Sequence, residues 1–93
     1  MKFEWDENKR AQVEAERGIT QKDVEQAFSD ERAFDFYDES HSINENRYIV
    51  IGLSSKGLLT VPYTIRERNG EEIYRIITAW HSTREEEKLY EEG

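Results

Sequence analysis

The stretch Arg75-Ile76-Ile77-Thr78-Ala79-Trp80-His81-Ser82-Thr83-Arg84-Glu85 reads as the last strand of a sheet running directly into a C-terminal helix. Side chains alternate along a strand, so Ile73, Arg75, Ile77 and Ala79 point one way and Tyr74, Ile76, Thr78 and Trp80 the other. The second set is almost entirely apolar or β-branched, which places this strand in the interior of a sheet. Two overlapping capping boxes, Ser82-x-x-Glu85 and Thr83-x-x-Glu86, mark the helix start to within one residue. The strand end is expected to deliver Trp80, His81 and Arg84 to one rim, with a proton-exchanging side chain at the corner.

The rest of the chain must supply the remaining strands and the helices that cover them. Phe3 and Trp5 alternate with Lys2 and Glu4 as a short first strand. Asp6 can cap a helix that runs to about Arg17 and ends at Gly18, with Ala11, Val13 and Ala15 as its thin apolar contribution. Thr20-x-x-Asp23 resembles a capping box, and Ile19 with Val24 fits a hydrophobic staple, so a second helix follows with Val24, Ala27 and Phe28 as its buried stripe. Ser29-Asp30-Glu31 breaks it. Ala33 to Tyr37 reads as a strand with Phe34 and Phe36 on the core side.

A polar connection, Asp38 to Asn46, carries His41, for which a surface or loop-bracing role is expected. Arg47 to Leu53 is the clearest strand, with Ile49, Ile51 and Leu53 on one face and Tyr48 and Val50 on the other. Ser54-Ser55-Lys56-Gly57 supplies a hairpin turn, Leu58 to Ile65 returns, and Asn69-Gly70 supplies a second hairpin. Pro62 removes a ladder donor, which calls for a bulge or an edge there. The expected order is β-α-α-β-β-β-β-α. This is an α+β domain spanning 1–93, with a mainly antiparallel sheet and its helices packed on one face.

Ninety-three residues can bury one modest core. Without cysteine there is no disulfide, thiolate metal site or thiol nucleophile. Neither histidine has zinc-site spacing, there is no phosphate-cradling glycine loop, and neither a metal nor a cofactor is expected. The N-terminus lacks the apolar core of a signal peptide and no apolar run approaches membrane-spanning length, so a cytoplasmic protein without membrane partners is expected. The net charge of −8 opposes non-specific contact with a polyanion. Any nucleic-acid site must therefore rest on a local basic patch.

Such a patch exists in the C-terminal half. Arg47, Lys56, Arg66, Arg68, Arg75, His81, Arg84 and Lys88 are interleaved with Tyr63, Tyr74, Trp80 and Tyr90. Cations and aromatic faces together can hold a phosphodiester and stack a base. Metal-free RNA cleavage needs a base, an acid and cations for the developing charge, and His81, Arg75 and Arg84 could supply these. Arg66, Arg68, Trp80 and Lys88 would then bind the RNA. The competing reading is structural: Arg66 and Arg68 pair with glutamates around the hairpin, and Trp80 and Tyr74 belong to the core.

Several segments, in order and across nearly the whole chain, resemble the BrnT toxin family. They are Phe3-Glu4-Trp5-Asp6-Glu7-Asn8-Lys9-Arg10, Gly18-Ile19-Thr20, Ala27-Phe28-Ser29-Asp30, Asp38-Glu39-Ser40-His41-Ser42, Arg47 with Ile51-Gly52-Leu53-Ser54, Tyr63-Thr64, Arg75-Ile76-Ile77-Thr78-Ala79 and the tail with Tyr90. The resemblance implies a RelE-like fold and metal-independent RNA cleavage that inhibits translation, on free or ribosome-associated RNA. It also implies a DNA-binding antitoxin that neutralises the toxin and alone brings the pair to operator DNA. Glu16-Arg17 stands where the family commonly has a Lys-His pair, and Thr78-Ala79-Trp80-His81 where it commonly has serine, alanine, arginine and a basic residue, so Trp80 replaces an arginine. With the acidic balance, those departures keep a second reading open: a non-catalytic toxin fold acting as an antitoxin-binding co-repressor or protein-interaction module.

Overall fold

The computed structural model describes every residue from Met1 to Gly93, and its spine is one long strand, β4 (Gly57–Arg68). One edge of β4 pairs antiparallel with β3 (Tyr48–Ser54), which in turn pairs with β2 (Phe34–Tyr37). The other edge pairs antiparallel with β5 (Glu71–Ile76) at one end and with the two-residue β6 (Trp80–His81) at the other. Strand β1 (Lys2–Trp5) lies parallel to β5, giving the order β1-β5-β4-β3-β2. Helices α1 (Glu7–Arg17) and α2 (Gln21–Ser29) follow β1, and α3 (Arg84–Glu92) ends the chain. The architecture is α+β with a mixed, mostly antiparallel open sheet. No helix is long and apolar enough to cross a membrane.

The local signals act where the sequence placed them. Asp6 accepts from the Lys9 N–H at 3.0 Å to cap α1, and Gly18 closes that helix at φ 70°. Both arms of the Thr20–Asp23 capping box form. Of the two candidate caps for α3, Thr83 is the one used, with Glu86 completing its box. Asn69 and Gly70 both have positive φ, 54° and 77°, as the tight turn between right-twisted strands requires.

One face of the sheet carries the main core. Val13 of α1, Val24 and Ala27 of α2, and Ile19 between them meet Val50, Leu59, Val61, Tyr63 and Ile76. Phe28 makes edge-to-face contacts with Phe3, Tyr63 and Tyr74. Only Val13 of α1 is buried; Ala11 and Ala15 are exposed, so that helix touches the core through less than expected. At Gly52 the backbone of α2 comes so close that any Cβ would run into the Ala27 carbonyl oxygen.

The opposite face is also covered, but only in part, and this corrects the expectation of helices on one face. Ile51 and Thr60, which pair across β3 and β4, are fully buried yet lie outside the main core cluster. Helix α3 lies over them. Thr60 Oγ1 donates to Glu86 at 3.0 Å, and Tyr90 donates to Asp30 at 2.6 Å. Phe34 and Phe36 face this second side, because Phe34 pairs with Ile51. The main core instead receives Ala33 and Tyr48 at that edge.

The expected strand from Ile73 to Trp80 is interrupted. In β5, Ile76 pairs with Tyr63; in β6, Trp80 pairs with Thr60. Three residues, Ile77–Ala79, therefore oppose only Val61 and Pro62, which is a β-bulge. Pro62 explains its position. Its carbonyl accepts from the Ile77 N–H at 3.0 Å, so its missing N–H faces the same edge and the ladder must break there. The freed Ala79 carbonyl accepts from Arg17 Nη1 at 2.9 Å. A slip of one residue inverts every later side chain. Trp80 consequently lies on the face of Arg75, opposite Tyr74 and Ile76, which overturns the parity read from the sequence.

Candidate functional site

The second face of the sheet, beyond the reach of α3, is rich in arginine. Arg66 and Arg68 of β4 and Arg75 of β5 share it by register with Thr60, Thr64 and Trp80. Arg47, one residue before β3, reaches the same side and lines a cleft with Ile49, Pro62 and Trp80. Two Arg–Glu–Arg groups organise these cations. Glu4 accepts from Arg75 and Arg68 at 2.6 Å each, and those contacts hold its carboxyl below the ordinary value, Arg75 contributing most. Glu45 sits between Arg47 and Arg66 at 3.6 and 3.7 Å, too far for hydrogen bonds. The first pair of guanidiniums is committed; the second is not.

The cleft has a volume of about 320 Å³, at the small end of the range for ligand sites. Ile49, Pro62 and Ile77 form its apolar part, and Asp38, His41, Arg47, Thr78 and Trp80 complete its lining. Burial leaves Arg47 Nε without a hydrogen-bond partner. The Trp80 indole N–H donates to Glu86 at 3.1 Å, which fixes its ring at the wall. His41 also lines an adjoining cleft of about 350 Å³ with Ile43, Asn44, Glu45 and Arg47, so His41 and Arg47 border both.

The loop that carries His41 is tied at its neck. The Asp38 N–H donates to the Arg47 carbonyl at 2.8 Å, the Ser42 hydroxyl donates to the Asp38 carbonyl at 2.6 Å, and the Arg47 N–H donates to Ser42 Oγ at 2.9 Å. Within it, His41 Nδ1 lies 2.8 Å from Asp38 Oδ2, and Ser40 Oγ donates to Asp38 Oδ1 at 3.1 Å. Only the Asp38-x-x-His41 spacing hinted at this pairing. The backbone and Ser42 contacts that hold Arg47 beside it are tertiary and have no sequence signature.

The structure does not assemble all the expected site residues. Arg66, Arg68, Arg75 and Trp80 share a face. His81 lies on the other one, because it pairs with Leu59; its Nε2 is 3.0 Å from the Arg17 carbonyl at the end of α1. Alternation sets Trp80 and His81 on opposite faces, and the bulge separates His81 from Arg75. Arg84 and Lys88 are exposed on α3 and make no ion pair or side-chain hydrogen bond. Of the interleaved tyrosines, Tyr63 is in the core, donating to Asp35 at 2.7 Å, and burial followed by that contact pushes its phenol up. No three histidine or acidic side chains converge as a metal site would require.

The family described as the ribonuclease toxin, BrnT, of a type II toxin–antitoxin system matches residues 5–86. The chain belongs to the BrnT family. Membership implies a ribonuclease toxin with an RNA target and an antitoxin partner. The matched span includes the arginine-bearing strands, both clefts and the bulge. No curated protein matches the sequence.

Proposed function

We propose that this BrnT-family chain is a metal-independent endoribonuclease that arrests translation and is neutralised by a DNA-binding antitoxin. The observation that carries the reading is the placement of Arg47, Arg66, Arg68, Arg75 and Trp80 on one sheet face beside an open cleft. In a chain of net charge −8, four arginines on one exposed face make a local field that a phosphodiester backbone can use. Arg47 and Arg66, loosely held by Glu45, are the nearest free donors. The Trp80 ring offers a surface on which a base can stack. The side chains present can supply a base and charge stabilisation without a metal. His81 in this reading braces the end of α1.

Expression should stop growth and translation, co-expression of the antitoxin from the neighbouring gene should restore both, and purified protein should cut RNA in chelator. Intact RNA under conditions where other BrnT toxins cut it would remove the catalytic claim. A second reading is favoured by one observation: Glu4 saturates both Arg68 and Arg75. A toxin fold whose cations are internally neutralised fits an antitoxin-binding co-repressor. Antitoxin binding with neither RNA cleavage nor growth arrest selects it.

A further inference from the structure

We infer that His41, oriented by Asp38, is the general base of the cleft; this rests on the ribonuclease reading above. Three observations converge. First, the Asp38 carboxylate takes Nδ1–H of His41 at 2.8 Å, which leaves Nε2 with its lone pair. Second, that imidazole borders both clefts together with Arg47, whose guanidinium makes no side-chain hydrogen bond, Glu45 lying 3.6 Å away, and can turn to a non-bridging phosphate oxygen. Third, the three neck contacts between Asp38, Ser42 and Arg47 hold base and cation in one frame before any ligand arrives. The charged groups facing His41 are Asp38, Glu45 and Arg47, all in the connection between β2 and β3.

The step is an internal transesterification. His41 Nε2 takes the proton of the RNA 2′-hydroxyl, the 2′-oxygen bonds to phosphorus, and the P–O5′ bond breaks. The departing 5′-oxygen takes a proton from water in the open cleft, and His41 returns its own proton to solvent. The products are a 2′,3′-cyclic phosphate and a 5′-hydroxyl. Arg47 bears the charge that grows on the phosphoryl oxygens. Trp80, across the cleft, gives the adjoining base a face to rest on. His41 would touch the reacting atoms; Asp38 is a positioning residue.

The test uses the full chain, a short single-stranded RNA for cleavage and its 2′-O-methyl counterpart for binding. His41→Gln should lower single-turnover cleavage by about 10²-fold or more. It should abolish the rise of rate with pH and leave binding of the 2′-O-methyl RNA and the melting temperature unchanged. Asp38→Asn should slow the cleavage step with binding of the 2′-O-methyl RNA and the melting temperature unchanged; a purely structural role would move the melting temperature instead. A wild type that cuts while His41→Gln cuts equally well, or a His81→Gln that loses the pH-dependent rise instead, overturns the assignment and leaves the ribonuclease reading standing. A 5′-phosphate product also overturns it, since it requires a water nucleophile. A wild type that leaves RNA whole overturns both.

Discussion

The two faces of the sheet are built by different physics. The face under α1 and α2 is held by complete burial: Val24, Ala27, Leu59 and Val61 have no exposed surface, and Gly52 admits the α2 backbone. The face under α3 is held by polar latches, because no residue of α3 is fully buried. Glu86 alone accepts from Thr60, Trp80 and the Thr83 N–H of its own cap. Removing water from one face sets the fold, and leaving the other partly wet keeps the arginines of β4 and β5 and the cleft beside them accessible. The proposed site lies where packing is thinnest.

Substitutions can break this contrast, beginning where it is greatest. Gly52→Ala should cost about 3 kcal/mol or more, because backbone rather than a flexible side chain blocks the added methyl; urea unfolding would read it. Ile76→Ala should cost roughly 2–5 kcal/mol, while Ile77→Ala, half-buried at the bulge, should cost distinctly less. Equal losses would mean the bulge is absent in solution. Glu86→Gln should cost about 1–3 kcal/mol and raise amide exchange in α3 before the core strands respond. Glu4→Gln should change stability by no more than about 1 kcal/mol, since the triad is partly exposed, yet steepen the salt dependence of RNA binding as Arg68 and Arg75 are freed.

Acid offers a further lever. Contacts from Arg75 and Arg68 lower the Glu4 carboxyl. At Asp23 and Asp30 burial pushes upward, but hydrogen bonds from Lys56 and Thr20, and from Tyr90, Arg32 and Leu53, prevail and both lie below ordinary values. Each binds fewer protons folded than unfolded. Their stabilisation is complete above the ordinary values of 3.8 and 4.5 and is lost as pH falls through the lowered ones. The melting temperature should therefore drop below about pH 4, and less steeply in Glu4→Gln.

Local structure was legible because its causes are local. Gly18, the Thr20–Asp23 box, Asn69-Gly70 and the alternation from Tyr48 to Leu53 each act within a few residues. Pro62 announced an irregularity, though not that its consequence would fall on the neighbouring strand. The second layer under α3 was missed because Phe34, Ile51 and Phe36 alternate equally well toward either face. The site was half legible. Arg66, Arg68, Arg75 and Trp80 were all named, though parity set Trp80 apart from Arg75, and His81 was added because the strand end was expected to deliver it to the same rim as Trp80. His41 was passed over because a polar loop gives no period from which direction can be read.

The bulge at Ile77–Ala79 assigns side chains to faces by count rather than by chemistry. Loss of a single codon there would leave two residues opposite two and restore a regular ladder, with the indole still paired to Thr60 and the imidazole still paired to Leu59. The extra residue is therefore a spacer, one whose loss would shorten the chain without changing which group the strand end presents on either face.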